Sequence, residues 1–94
     1  MKVNIKFLAS IREIVGAHEV PFEISPGSTV ESLLEVLESR FGAEFKEAVG
    51  EPFEDKNPKV MFLVNGRDID FLKGPGTELK EGDTVVLIPP VAGG

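Results

Sequence analysis

Apolar and polar residues alternate one for one from Lys2 to Leu8. Val3, Ile5 and Phe7 fall on one side, and Lys2, Asn4 and Lys6 on the other. A period of two predicts a half-buried strand, and Leu8 interrupts its polar side. Ala9 to Gly16 then reads as a short helical turn, with Ser10 and Glu13 spaced as a capping box and Gly16 as its stop. The alternation resumes at Glu19 to Ile24, where Val20, Phe22 and Ile24 share a face. Pro21 cannot donate to a neighbouring strand, so this second strand belongs at a sheet edge or a bulge. After the turn Ser25-Pro26-Gly27 the period lengthens. Val30, Leu33, Leu34, Leu37 and Phe41 follow the three-and-four spacing of an amphipathic helix, with Ser28 and Glu31 as a capping box and Gly42 just past the end.

The second half is patterned less evenly. Phe45 and Val49 can anchor a short second helix, and Glu51 to Pro58 reads as an acidic surface loop. Lys59 to Val64 is the most continuously apolar run and is expected at the middle of the sheet. Asn65-Gly66 signals a tight hairpin into a short strand over Arg67 to Ile69. Phe71 to Gly82 is a Gly- and Pro-rich connection from which Leu79 dips into the core. Glu81-Gly82-Asp83 turns into a last strand, Thr84 to Ile88. The order strand, strand, helix, strand, strand, strand closes into one sheet if the last strand runs parallel beside the first, with the main helix across one face. That is an α+β, β-grasp (ubiquitin-like) arrangement with a mixed five-stranded sheet. Residues 1–90 are expected to form the domain and 91–94 a flexible Gly-Gly tail.

Composition narrows the function. Ninety-four residues make one small domain, and a net charge of -6 disfavours nucleic-acid binding and favours a partner with a basic face. The absence of cysteine removes disulfides, thiolate nucleophiles, Cys-based zinc sites and iron–sulfur ligation, including the plant-type ferredoxin use of this fold. No signal-peptide core or membrane-length apolar run is visible, so no membrane partner and a cytoplasmic location are expected. His18, the one histidine, reads as an exposed loop residue. One histidine without cysteine cannot assemble a nucleophile–base–acid set. Glu44, Glu47, Glu51, Glu54 and Asp55 read as a solvated acidic surface rather than a metal site. Gly74-Pro75-Gly76 lacks the lysine and spacing of a phosphate loop.

The chemistry that remains is at the end of the chain. An apolar strand runs into Pro89-Pro90 and then Val91-Ala92-Gly93-Gly94, where termini more often finish polar. The proline pair favours extended backbone, and from Val91 to Gly94 the tail can reach roughly 13 Å at ~3.3 Å per residue. Glycine enters a narrow channel at dihedrals other residues avoid, and its acyl group is the least hindered available. The expected functional group is the carboxylate of Gly94, activated as an acyl-adenylate before sulfur or nitrogen attacks it.

Phe7 to Gly16, Ser28 to Leu34, Val64-Asn65-Gly66, Leu79 to Val85 and the ending Ile88-Pro89-Pro90-Val91-Ala92-Gly93-Gly94 together resemble the MoaD-type sulfur carriers, the small subunit of molybdopterin synthase in the MoaD/ThiS family. The resemblance spans nearly the whole chain, although the acidic stretch Glu51 to Asn57 is longer than in compact members. It implies a protein that is not catalytic alone and binds no cofactor. A ubiquitin-activating-like adenylating enzyme would use ATP on Gly94, with Gly93 beside it, and a sulfurtransferase system would make the thiocarboxylate. The molybdopterin synthase large subunit would then receive the tail. It further implies a partner-binding surface from Leu8, Arg12, Ile69 and Ile88, continued by Pro89, Pro90 and Val91. The same activated glycine could instead modify lysines on proteins, or donate sulfur to tRNA or thiazole.

Overall fold

The computed structural model describes residues 1–89, so the expectations attached to Pro90, Val91, Gly93 and Gly94 lie outside the described residues. Strand β1 (Lys2–Phe7) buries Val3, Ile5 and Phe7 completely, as its alternation requires. β2 (Glu19–Glu23) returns antiparallel beside it, and β5 (Thr84–Ile88) lies parallel to β1 on its other side. β3 (Met61–Val64) pairs antiparallel with β5, and the two-residue β4 (Arg67–Asp68) pairs with β3. The sheet order is β2-β1-β5-β3-β4. The middle position therefore belongs to β5. The expectation that the Lys59–Val64 run is central is corrected, because β5 lies between β1 and β3 with two strands on each side, while β3 has only the two residues of β4 outside it. Both sheet edges are poor templates for a further strand: β2 carries Pro21 and β4 is too short.

Three helices lie against the face that buries Phe7, Phe62 and Leu87. The helix α1 (Ala9–Val15) closes on Gly16 in the left-handed conformation at φ 83°. Its start differs from the capping box expected of Ser10 and Glu13. Leu8 is the N-cap, makes no side-chain cap, and its backbone amide donates to the Leu87 carbonyl at 3.2 Å. With Leu8 still held in the sheet, the chain turns at once through Ala9, at φ 53°, and Ser10 falls inside the helix.

The main helix α2 (Val30–Phe41) buries Val30, Leu33, Leu34 and Leu37, with Phe41 partly buried against the core. Its capping box sits one residue later than Ser28 and Glu31. The Thr29 hydroxyl accepts from the Ser32 amide at 3.2 Å, and the Thr29 amide donates to Ser32 Oγ at 2.8 Å. Ser28 is already committed to the preceding turn, its hydroxyl donating to the Ser25 carbonyl at 2.7 Å. Thr29→Ala is expected to cost about 1 kcal/mol, and Ser28→Ala less. Adding Ser32→Ala to Thr29→Ala should give less than the sum of the two, since one reciprocal pair is lost either way. Urea unfolding of the three single variants and the double variant measures this, and a larger cost at Ser28 than at Thr29 would contradict it.

A short helix α3 (Ala43–Val49) follows, anchored by the fully buried Phe45 and Val49. The acidic loop is not wholly solvated, because Phe53 turns inward to lie 5.3 Å from the ring of Phe62. Beside it, the carboxyl of Glu38 on α2 is raised above its ordinary value of 4.5. Burial is the main cause, Lys46 opposes it, and Glu51 and Glu35 reinforce it. An acid with a raised folded-state pKa binds its proton more tightly in the native protein than in the unfolded chain. Its contribution is therefore most favourable at low pH and declines as pH rises through 4.5 to the folded value. Relative to the natural chain, Glu38→Gln is expected to gain in melting temperature as the pH rises above 4.5. Parallel pH profiles for the variant and the natural chain would refute that.

The Asn65-Gly66 turn is as expected, with both residues at positive φ, 51° and 86°. Two short 3₁₀ turns, Ile69–Phe71 and Gly74–Gly76, carry the chain around the sheet edge toward α2. Leu79 is buried, as expected, and its amide donates to the Ser28 carbonyl at 2.9 Å.

Candidate functional site

The β-strand registers show what surrounds the root of the tail. Phe7 is level with Leu87 in β5, and Leu87 with Phe62 in β3. One residue further on, Ile88 pairs with Met61, and Leu8 follows Phe7 on the other side. The strand that launches the tail thus leaves the sheet between Leu8 and Met61, in the middle of the sheet's end rather than at its edge. Backbone bonds hold it on both sides up to this point. A tail set here leaves from a rigid base, and Pro89, half-buried, is the last described residue.

The side of the sheet away from the helices is graded along the strands. At the far end Asn4 pairs with Thr84, and Asn65 binds Asp83 through Nδ2 at 2.9 Å and the Thr84 amide through Oδ1 at 3.0 Å. One row nearer the tail, Lys6, Val86, Leu63 and Asp68 lie side by side. At the tail end the row is Leu8, Ile88 and Met61, which is apolar throughout. Leu8 and Ile88 are half-buried, and Met61 is 38% exposed. Polarity therefore falls toward the point where the tail leaves, which is the gradient expected of a surface that a partner covers around the tail.

Of the sequence-predicted interface residues, Leu8 and Ile88 meet on this row. Arg12 is exposed on α1, near the end of that helix. Ile69 does not join them. It is 4% exposed and belongs to the core, which corrects its expected place on the surface. The reason is parity. The two-residue turn pairs Val64 with Arg67 and Leu63 with Asp68, so the next residue, Ile69, falls level with Phe62 and on its buried side. Residues that the sequence reading passed over, Met61, Leu63 and Val86, take that space. Their signal was present in the unbroken apolar runs of Met61 to Val64 and Val85 to Ile88, in which outward positions are as apolar as inward ones.

Among the described residues no group of three or more His, Cys, Asp or Glu could hold a metal ion, and no helix is long and apolar enough to cross a membrane.

Comparison with known proteins places this geometry among relatives. The ThiS family model matches residues 5–94. The chain is 38% identical to the small archaeal modifier protein 3 of Haloferax volcanii, over the full length of both. It is 29% identical to the molybdopterin synthase sulfur carrier subunit of Chlamydomonas reinhardtii, again over both full lengths. A solved structure from Pyrococcus furiosus, provisionally described as molybdopterin converting factor subunit 1, superposes with a TM-score of 0.81 at 37% identity. The match covers 97% of this chain and 99% of that one.

Proposed function

The chain belongs to the ThiS family, and from that premise we propose that it carries sulfur as a thiocarboxylate on Gly94 and donates it for the dithiolene of molybdopterin. It is a small ubiquitin-like sulfur carrier or modifier of the ThiS/MoaD type and is not catalytic by itself. The observation that carries the Gly94 reading is the family match running through residue 94, which takes in the Pro89-Pro90-Val91-Ala92-Gly93-Gly94 ending, and the likeness to a molybdopterin synthase sulfur carrier subunit supports the molybdopterin branch. The apolar row Leu8, Ile88 and Met61 at the tail's root supports it as a seat for a partner.

The chemistry follows from the weakness of a carboxylate as an electrophile. A Gly94 oxygen attacks the α-phosphate of ATP on an adenylating enzyme, pyrophosphate leaves, and the acyl-adenylate forms. A persulfide sulfur of the donor system then attacks the glycine carbonyl and expels AMP. A second thiol attacks the donor-side sulfur of the resulting acyl disulfide, forms a disulfide with the donor, and releases the other sulfur as the thiocarboxylate on Gly94. The synthase large subunit receives the tail, and its residues direct the sulfur to the pterin precursor. This chain supplies the unhindered acyl group, the reach and the docking face.

The test is the intact mass after incubation with the cognate activating enzyme, ATP and a sulfur donor. The expected gain is that of one oxygen exchanged for sulfur, localised to Gly94. An unchanged mass beside a demonstrably active enzyme would end the carrier reading.

A second reading is favoured by the 38% identity to a small archaeal modifier protein. The same acyl-adenylate could be attacked by a lysine amine to give an isopeptide bond. Conjugates in a cell lysate that disappear on deleting Gly93 and Gly94 would support it.

A further inference from the structure

Three large hydrophobic side chains are exposed among the described residues: Val36, Met61 and Phe71. Phe71 is the extreme case, at 86%. It sits on a short turn whose other members are fixed. Ile69 before it is buried in the core, and Leu72 after it packs against the core. The Asp70 amide donates to Asp68 Oδ1 at 2.9 Å, and the Leu72 amide to the Ile69 carbonyl at 2.9 Å. The Lys73 amide donates to Thr77 Oγ1 at 3.1 Å, tying down the next residue. The ring is thus held outward by a backbone that has nowhere else to go. An aromatic side chain presented this way loses little freedom when a partner buries it.

Its place in the fold ties it to a partner that receives the tail. β4 runs back from the Asn65-Gly66 turn toward the end of the sheet from which the tail leaves, and the Phe71 turn continues directly from it. Met61 joins the two regions. It pairs with Ile88 at the tail's root, and on its other side it lines a cleft with Asp68, Ile69 and Asp70. Met61 thus borders both the tail's root and a cleft whose far wall, Asp68 to Asp70, leads into the turn that carries Phe71.

The charges on this side are Asp55, Lys56, Asp68 and Asp70 in the cleft lining, with Lys73 further along the chain. The one ion pair among the described residues is Met1 with Glu23, so none of these carboxylates is matched by a lysine within the chain. The chain as a whole carries -6. A surface that meets it gains from basic side chains around an apolar pocket.

We propose that Phe71 anchors this chain on the enzyme that adenylates Gly94, in an apolar pocket of that enzyme rimmed by arginine or lysine. The proposal rests on the Gly94 reading above. The adenylating enzyme is the partner chosen because carrier and modifier alike must pass through it. Phe71 acts here on docking and not on the reacting atoms, so it should govern how much carrier is needed and leave the rate at saturation alone.

The experiment is ATP–pyrophosphate exchange by the cognate activating enzyme, titrated with the natural chain, Phe71→Ala, Phe71→Leu and, as an exposed apolar control, Val36→Ala. Phe71→Ala is expected to raise KM for the carrier at least tenfold with kcat unchanged. Phe71→Leu should recover part of the loss, and Val36→Ala should match the natural chain. An unchanged KM for Phe71→Ala, or a loss confined to kcat, would overturn the anchor while leaving the Gly94 reading in place. Activation that is normal while sulfur delivery fails would assign Phe71 to the recipient and overturn the proposal as stated. No exchange with the natural chain, on an enzyme active toward another carrier, would bring down the Gly94 reading and the anchor with it.

Discussion

Removing Gly94 is expected to reduce adenylation by at least 100-fold while leaving the melting temperature unchanged. The truncated chain still ends in glycine, because Gly93 becomes the terminus, so the chemical group survives and only its position changes. One residue of extended chain is ~3.3 Å. A misplacement of about 1 Å at a reacting centre can already cost on the order of 100-fold. The tail cannot recover that length by unravelling its base. β5 is bonded on both sides, and the Leu8 amide holds the Leu87 carbonyl. Freeing a residue would take Ile88 out of its pairing with Met61 and strain the bond between the Leu8 amide and the Leu87 carbonyl, and freeing a second would expose the fully buried Leu87. Stability should not move, since among the described residues the core ends at Leu87, seven positions before Gly94. Pyrophosphate exchange and intact mass on the same sample test both halves. Full activation of the truncated chain would mean that the enzyme does not measure tail length, and the function assigned to the terminus would fail.

The physical origin of each element decides how much of this architecture could be read from residues alone. The strand and helix order was legible because periods of two and of three-to-four are imposed by a single buried face. Turns such as Asn65-Gly66 were legible because few residues accept positive φ there. Helix starts were less legible, since Ser28 with Glu31 and Thr29 with Ser32 are both plausible boxes. Only the turn that consumes Ser28 and the bridge between Thr29 and Glu78 decide between them. The rank of β3 and β5 was missed for a related reason. Both runs are uniformly apolar, and such a run does not distinguish burial on two faces from one buried face and one sticky face.

The candidate site divides along the same line. Leu8 was readable as a break in an alternation, and Ile88 by its place in the strand that carries the tail. Ile69 lies inward against its sequence reading because its side of the sheet follows from the pairing count around the hairpin, not from its own apolar character. Met61 left a trace in its unbroken apolar run, but Phe71 could not be found by pattern. Exposure of an apolar side chain is a property of what the fold leaves uncovered.

The largest loss of stability is expected from Phe7→Ala. Phe7 is fully buried at the end of β1, one residue before Leu8. Its ring meets Phe41 nearly edge-on at 5.6 Å and Phe45 at 6.2 Å, and Phe41 in turn meets Phe22 at 6.1 Å. This aromatic group links β1, β2, α2 and α3, and the cavity left by alanine is faced by both α2 and α3, so it cannot collapse by moving one. Truncating a buried phenylalanine costs about 3–5 kcal/mol. A chain of 94 residues has roughly 5–14 kcal/mol in total at ~0.05–0.15 per residue. The melting temperature should therefore fall by roughly 15–30 °C, where Phe7→Leu should cost distinctly less. Phe45→Ala should be similar in size, and the double variant should lose less than the sum, because each truncation already removes the other's edge contact. The Phe7 position also couples stability to function, since it fixes the strand end from which Leu8 holds the tail's base. Below its melting point Phe7→Ala should need more activating enzyme than Thr29→Ala, which loosens only the start of α2. A Phe7→Ala chain that melts within a few degrees of the natural protein would show that the helices close over the gap, and the rigid base assigned to the tail would have to be abandoned.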